Sequence, residues 1–342
     1  MITRARPIQA FFIAGVLAVA SRAAERVDIV WPTPNPAWAN GKPLVDYVQH
    51  AGSGEVESGT FGGVRSGGTH FHEGIDMKCL ARDRRGEPLD NVFAGMSGVV
   101  RHINSSAGDS NYGRYVVLEH PEQAPAVYTL YAHLARIAPG LREGAVVTRG
   151  QVLGTMGHSS GGYMIPVDRA HLHFEIGLMM TRDFEAWYGR KNSGSRNDHG
   201  AWNGMNLMGV DPLEFLNAWR AHRVDTFQDY FSRLPTAVKL RIATHRVPDF
   251  ITRYPSLLTK PIPLGGVAGW EIRCNWTGVP FAWTPLSPPD VMGLPTDQPR
   301  IAEVDEVIIR RERSKSIAVS HRGGWVVGKD LETVLQQLFG VR

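Results

Sequence analysis

Three short segments of this sequence carry the residues that could do chemistry. They read HFHEGID over 70–76, YAHL over 131–134 and HLHFE over 171–175. Imidazole nitrogens and carboxylate oxygens are the donor atoms of mixed zinc sites in proteins. The three segments therefore indicate a metal-binding centre assembled from distant parts of the chain.

The segment 171–175 has an apolar alternation that predicts a β-strand. In a strand, residues i and i+2 face the same side, so His171 and His173 project together. Two imidazoles on one face form half of a metal site. Glu175 shares that face, but we expect it to lie too far along the strand to join the metal ligands easily.

The segment 70–76 can supply the other half of the site. Asp76 offers a carboxylate oxygen, and His72, four residues earlier, offers another nitrogen. Gly74 between them permits a tight backbone path that could bring both side chains to one point. Two histidines and one aspartate leave a fourth position for water, which is typical of catalytic zinc. The remaining histidines, His133 and His171, could transfer protons or stabilise an oxyanion.

Taken in this order, the segments resemble the lysostaphin-type (LytM-like) zinc metallopeptidases, which cleave peptide crosslinks of bacterial peptidoglycan. The resemblance covers residues 58–177, roughly a third of the chain. Further matching motifs are SGTFG (58–62), VFA (92–94), GVV (98–100), NYGRYVVLEH (111–120) and GQVLG (150–154).

By this resemblance, His72, Asp76 and His173 match the zinc ligands of the family, with one ion per chain. His133 and His171 match the two non-ligand histidines that assist catalysis. The resemblance implies an endopeptidase that uses a zinc-activated water as nucleophile and peptidoglycan as substrate. It also implies a small antiparallel β-sheet whose loops wall a narrow groove.

The sequence departs from the family pattern in three places. The stretch 159–170 before His171 is long, the interval 177–209 looks like an insertion, and the region after His222 shows no resemblance that we recognise. His70 is a possible substitute ligand, but its spacing from Asp76 does not fit the family pattern.

The spacing of apolar residues predicts the elements that must position these side chains. Short apolar stretches separated by Gly, Asn and Asp run through 54–178 and predict an antiparallel sheet with many turns. We expect Asp330 and Gly340 to cap a last helix over 330–339. Other helices are predicted over 182–190 and 213–222, and strands over 268–274 and 303–311. The predicted fold is therefore α+β and mainly antiparallel β, with a β-sheet groove-type zinc peptidase domain followed by a smaller α+β C-terminal domain.

The first 23 residues are typical of a secretory signal peptide. Arg4 and Arg6 precede an apolar run over 8–20, which small residues follow. This run is shorter than the roughly 20 residues that span a bilayer, and a buried N-terminal helix is the alternative. We therefore expect export to the periplasm or outside the cell, without stable membrane insertion after signal removal.

The predicted organisation is a signal peptide (1–23), an extended lead-in (24–53), a peptidase domain (54–222, with an insertion at about 177–209) and a C-terminal domain (223–342).

Composition excludes several classes of protein. The chain has 342 residues, of which 43% are hydrophobic and 20% charged, unlike disordered, collagen-like or coiled-coil chains. Removal of the signal peptide would take away three arginines and no acid, and the net charge would fall from +4 to +1. A nearly neutral protein has little electrostatic attraction for nucleic acid. Cys79 and Cys274 form either a disulfide that joins the two halves of the chain or two separate buried thiols.

Two other functions must be weighed. The sequence GHSSG over 157–161 fits the G-x-S-x-G motif of serine hydrolases, which needs a strand before it and a helix after it. The residues that follow are a poor helix start. A non-catalytic cell-wall-binding or regulatory protein could use the same fold, although such relatives typically lack the zinc ligands. The C-terminal domain could bind the wall, occlude the groove or hold a protein partner.

Overall fold

The structure is a computed structural model that describes residues 25–191 and 196–340. The predicted signal peptide, 1–23, lies outside these residues. No helix within the described ranges is both long enough and apolar enough to span a lipid bilayer.

The first part of the chain consists mainly of short antiparallel strands, with two helices near its end. The strands are β1 (Gly62–Arg65), β2 (His70–His72), β3 (Ile75–Lys78), β4 (Asn91–Phe93), β5 (Gly98–Asn104), β6 (Tyr115–Glu119), β7 (Tyr128–Ala132), β8 (Leu134–Ile137), β9 (Val146–Val147), β10 (Val152–Met156), β11 (His171–Met179) and β12 (Leu207–Val210). The helices are α1 (Phe184–Lys191) and α2 (Pro212–Arg220).

The strand β11 is the centre of the main sheet. The sheet runs in the order β12–β11–β7–β6–β5–β9, and β3 pairs with the same edge of β11 as β12 does. All nine residues of β11 are buried. The register places His173 opposite Asp76 of β3 and opposite Ala132 of β7, one residue before His133. The sheet thus brings three of the chemically important segments together.

Two smaller sheets and the lead-in complete this part of the molecule. The strands β4, β10 and β8 form a three-stranded sheet, and β1 and β2 form a hairpin in which Gly62 lies opposite His72. The lead-in packs into the core, where Trp31 and Trp38 stack with their ring centroids 5.2 Å apart. Further along the lead-in, the amide of Gln49 donates to the carbonyl oxygen of Asp76 at 2.8 Å, so the lead-in also contacts the strand that carries Asp76.

The C-terminal region (residues 223–342) contains a second antiparallel sheet covered by helices. Its four-stranded sheet has the order β15–β14–β13–β16, and β17 and β18 form a hairpin. The strands are β13 (Val238–Ala243), β14 (Gly269–Cys274), β15 (Pro280–Leu286), β16 (Arg300–Val304), β17 (Ala318–His321) and β18 (Gly324–Val327). The helices are α3 (Phe227–Ser232), α4 (Asp249–Arg253), α5 (Glu306–Arg311) and α6 (Lys329–Phe339).

The C-terminal region packs directly against the main sheet. The Nη2 group of Arg253, on α4, donates to the carbonyl oxygens of Met179 and Met180 at 3.0 and 3.1 Å. Asp249 accepts hydrogen bonds from Thr181 and from the amide of Arg182. These contacts hold the end of β11, and one continuous apolar core joins residues of both parts. The domain boundary near His222 stays a prediction.

The predicted α+β, mainly antiparallel β fold is confirmed. The strand predicted over 303–311 is wrong, because β16 ends at Val304 and α5 begins at Glu306. Its β-branched residues favour a strand, but the Asp305 carboxylate accepts hydrogen bonds from the amides of Val307 and Ile308 and so caps a helix.

The last helix, α6, is also capped differently from the prediction at its N-terminus. The predicted cap, Asp330, lies inside α6 and instead accepts the amide of Ser316 at 2.6 Å. Gly340 ends α6 in the left-handed conformation, as predicted. Of the two alternatives for the cysteines, the structure has buried free thiols at Cys79 and Cys274.

Candidate metal centre

Three of the residues singled out in the sequence meet at one buried point. His72 Nε2, His173 Nδ1 and Asp76 Oδ1 are each 3.0 Å from the other two atoms. Among the described residues, these three form the one group of His, Cys, Asp or Glu side chains whose ligand atoms converge closely enough to hold a metal ion. The paired strands β3 and β11 position Asp76 and His173, and the β1–β2 hairpin brings in His72.

The hydrogen bonds of the two imidazoles determine which nitrogen faces this point. His72 donates from Nδ1 to the carbonyl oxygen of Thr60 at 2.7 Å. His173 donates from Nε2 to Glu175 Oε1 at 3.0 Å. A neutral imidazole has one N–H and one lone pair, so His72 Nε2 and His173 Nδ1 present their lone pairs. Two lone pairs and a carboxylate oxygen at 3.0 Å repel one another unless a cation or a proton lies between them.

The donor set fits zinc. Two imidazole nitrogens and one carboxylate oxygen are a ligand set that catalytic zinc sites use, with a fourth position open. Donor atoms of a tetrahedral zinc site lie about 3.3 Å apart when each bond is about 2.0–2.1 Å. The separations of 3.0 Å therefore need only a small opening to accept the ion.

Without a cation, the electrostatics of the centre favour a proton in its place. Burial raises the pKa of Asp76, but the neighbouring His171 and His72 lower it well below its usual range. Burial lowers the pKa of His173, but hydrogen bonds to Asp76 and Glu175 raise it to about 10. A metal ion would displace this proton, because ligands must be deprotonated to bind.

Glu175 is the functional residue that the sequence analysis set aside. Its carboxylate is 1% exposed, and it accepts hydrogen bonds from His173, from the hydroxyl of Tyr112 at 2.6 Å and from the hydroxyl of Tyr128 at 2.7 Å. A carboxylate behind a ligating imidazole fixes the ring and raises its basicity. The strand alternation already placed Glu175 on the face of His173, whereas no local signal in the sequence indicated the two tyrosines.

Arg65 is a second residue that the sequence analysis missed. Its guanidinium donates to Asp76 Oδ2 at 2.6 Å and to the carbonyl oxygen of Ser58 at 2.9 Å. The ion pair occupies one oxygen of Asp76 and leaves Oδ1 directed at the two imidazole lone pairs. Arg65 thereby fixes the orientation of the carboxylate.

His133 and His171 lie beside the three converging residues. Their rings are 4.9 Å apart in an edge-to-face arrangement, and the His133 ring is 5.8 Å from that of His173. His133 donates from Nδ1 to the carbonyl oxygen of Ser159, and His171 donates from Nδ1 to that of Arg169, both at 2.8 Å. The Nε2 of His171 is 3.3 Å from Asp76 Oδ1. Because Nδ1 of each ring is bound to a backbone carbonyl, Nε2 is the ring nitrogen that remains to act at the centre.

The environment of His133 keeps its imidazole neutral. Burial, with smaller contributions from His171 and His173, lowers the pKa of His133 well below its ordinary value. Its backbone has a φ of +60°, in the left-handed region that few residues other than glycine adopt. This conformation turns the chain between β7 and β8, where the side chain reaches the centre.

A groove of about 1110 Å³ opens onto these residues. One wall includes the loop 161–165, from the long stretch before His171, where Met164 is 86% exposed. Arg82 holds the end of this stretch by donating to the carbonyl oxygens of Val167, Asp168 and Ala170. Another wall comes from 196–209, within the predicted insertion. Both departures from the family pattern therefore shape the groove.

The other candidate residues do not take part in the centre. The Ser159 hydroxyl donates to the carbonyl oxygen of Leu134 and accepts the amide of Arg114. Residues 160–166, which directly follow Ser159, form no helix, so the serine hydrolase motif lacks its structural context. His70 is exposed at the start of β2, while His72 points into the centre.

Residues 70–183 match the model of peptidase family M23. This match confirms the lysostaphin-type, LytM-like resemblance for that segment of the chain. The matched segment includes His72, Asp76, His133, His171 and His173.

Several solved structures are also similar to the chain. A zinc-containing peptidase from Vibrio cholerae has 26% identity, a TM-score of 0.23 and coverage of 31% of this chain and 26% of that chain. The catalytic domain of the prophage-encoded M23 protein EnpA from Enterococcus faecalis has 23% identity, a TM-score of 0.27 and coverage of 38% and 79%. The catalytic domain of the antimicrobial peptidase lysostaphin from Staphylococcus simulans has 19% identity, a TM-score of 0.29 and coverage of 51% and 95%.

The likeness to these structures is limited. The chain spans about a quarter of the length of the Vibrio cholerae peptidase. No curated protein matches the chain. Because the TM-scores are low, the family assignment rests on the segment 70–183.

Proposed function

We propose that this protein is an exported, zinc-dependent endopeptidase that hydrolyses peptide crosslinks of bacterial peptidoglycan. One observation carries the proposal: two imidazole lone pairs and a carboxylate oxygen converge at 3.0 Å inside an M23 peptidase domain. The groove beside them is large enough for a peptide, and two further histidines lie within reach of the same point. We propose that His72, Asp76 and His173 hold one zinc ion.

The chain's own residues supply positioning and proton transfer. A bound zinc ion would supply Lewis acidity and lower the pKa of a water molecule at its open position. His133 and His171 are each fixed through Nδ1 by a backbone carbonyl, so that Nε2 can accept or donate a proton. In the proposal they move protons and stabilise the developing oxyanion. The groove orients the scissile peptide.

Digestion of purified peptidoglycan, followed by mass analysis of the fragments, tests the proposal. We expect the full chain to release peptides cut at one type of bond, and phenanthroline to abolish this release. The variant His173→Ala should lose both zinc and activity. His133→Ala should keep zinc and lose about 10²- to 10⁴-fold in rate, which is the usual contribution of a positioned acid or base.

The alternative function, a non-catalytic wall-binding or regulatory protein, predicts the opposite results. Such a protein would bind peptidoglycan without releasing fragments and would purify without stoichiometric zinc. Activity that survives phenanthroline would contradict zinc dependence. N-terminal sequencing of the protein recovered from outside the cytoplasm tests export, and cleavage near residue 23 is the expected result.

A further inference from the structure

The C-terminal region supplies part of the groove. The residues of this region that line the groove, called the C-terminal wall, are Thr277, Lys315, Asp330, Thr333, Val334 and Gln337. No residue described in this region forms a hydrogen bond or an ion pair with His72, Asp76 or His173. The region therefore extends the same groove that His72, Asp76 and His173 line.

Aromatic contacts join this wall to the hairpin that carries His72. Trp276 lies 6.0 Å from Phe61 and 5.7 Å from Phe71, measured between ring centroids, and the two phenylalanines are 5.2 Å apart. Phe71 immediately precedes His72 on β2. On the other side, Gln337 of α6 donates to the carbonyl oxygen of Met205 at 2.8 Å. The wall is thus fixed relative to the metal centre.

Lys315 is the cation of this wall. Its ammonium lies 4.2 Å from the centroid of the Phe71 ring, and its side chain is half-buried. Of the lysines in the described ranges, Lys239 alone forms an ion pair with a carboxylate, so Lys315 has no anionic partner among the described residues. The nearby Asp330 carboxylate already accepts the amide of Ser316. A half-buried ammonium held by an aromatic ring, without a counter-ion, is suited to bind an anion.

We infer that Lys315 determines specificity by binding a carboxylate of the peptide that occupies the groove. The inference rests on the proposed function, because a carboxylate is the anionic group that a peptide substrate offers. It makes the C-terminal region part of the substrate site rather than an occluding module. Arg169 is another groove cation without an ion pair among the described residues, but it lies two residues before His171, beside the metal centre.

Two synthetic crosslinked peptides test this inference, one with free carboxyl groups and one with all of them amidated. Their Kd values are measured by fluorescence anisotropy on the full chain carrying His133→Ala, which suppresses turnover. We expect the free-carboxyl peptide to bind about fivefold more tightly, as one partly buried charge pair allows. In this background Lys315→Met should remove most of the preference, because it keeps the stem on Phe71 without the charge. Lys315→Arg should retain it.

The control is Lys260→Met, which removes an exposed lysine outside the groove. It should leave the preference unchanged. An equal affinity for both peptides in the His133→Ala protein, or an undiminished preference in Lys315→Met, would overturn the inference. Hydrolysis by the otherwise unaltered chain is assayed separately. Carboxylate-dependent binding without hydrolysis would refute the proposed peptidase but leave the role of Lys315 standing.

Discussion

The variant Glu175→Gln isolates the carboxylate behind His173, the proposed zinc ligand. Three donors share this carboxylate: the imidazole of His173 and the hydroxyls of Tyr112 and Tyr128. A glutamine side chain has almost the same shape, but it offers one acceptor oxygen and one amide that is itself a donor. One of the three donors would then face a donor, and the imidazole would lose a charged partner.

The expected effect is a loss of zinc affinity. Removal of such a carboxylate partner typically costs about 10- to 100-fold in metal affinity, or about 1.4–2.7 kcal/mol. The structure places Glu175 at the upper end of this range, because its side chain is buried and the bond to His173 is 3.0 Å long. We therefore expect the Kd for zinc to rise by about 100-fold.

A competition titration against a chromophoric zinc chelator measures this Kd at a fixed pH. The matched control is Glu119→Gln, on β6, whose carboxylate pairs with Arg101 at the surface. The control should bind zinc as the unaltered chain does. A Kd for Glu175→Gln within twofold of the unaltered value, in a protein of unchanged melting temperature, would refute the argument that Glu175 supports the ligand.

Two further predictions concern the scaffold. Burial lowers the pKa of His120 to about 4, below the value of about 6.5 in the unfolded chain. The unfolded state therefore binds more protons between these values, and stability present above pH 6.5 is lost as the pH falls towards 4, by up to about 3 kcal/mol. Urea unfolding at pH 7 and 4.5 should show a smaller difference for His120→Gln, and an equal difference would contradict this. A Cβ on Gly74 would lie 2.3 Å from the carbonyl oxygen of Phe174. Gly74→Ala should therefore lower the free energy of unfolding by about 1–3 kcal/mol and weaken zinc binding. The control Gly265→Ala, which has open space around its Cβ, should do neither.

The candidate metal ligands could be predicted from local spacing together with the family resemblance, although their convergence depends on the pairing of β3 with β11. The i, i+2 spacing puts His171 and His173 on one face of a strand, and Gly74 allows the turn that brings His72 towards Asp76. The partners that orient these residues could not be predicted in the same way. Tyr112 lies in a loop 63 residues before Glu175, and only the register of the sheet brings the two together.

The C-terminal region shows the limit of local patterns more clearly. Its last helix could be predicted from apolar spacing. The segment after Val304 contains β-branched residues that favour a strand, but the carboxylate of Asp305 caps a helix there and stabilises it. The docking of Trp276 against Phe71 involves side chains about 200 residues apart. A local sequence pattern cannot predict such a long-range contact, so the groove wall could be identified only from the folded structure.

Anomalous diffraction at the zinc absorption edge tests the central claim most directly. Crystals of the full chain grown with one equivalent of zinc should show one strong anomalous peak, about 2.0–2.1 Å from His72 Nε2, Asp76 Oδ1 and His173 Nδ1. A peak at other side chains, or no peak between these three atoms while the protein remains folded, would contradict the account.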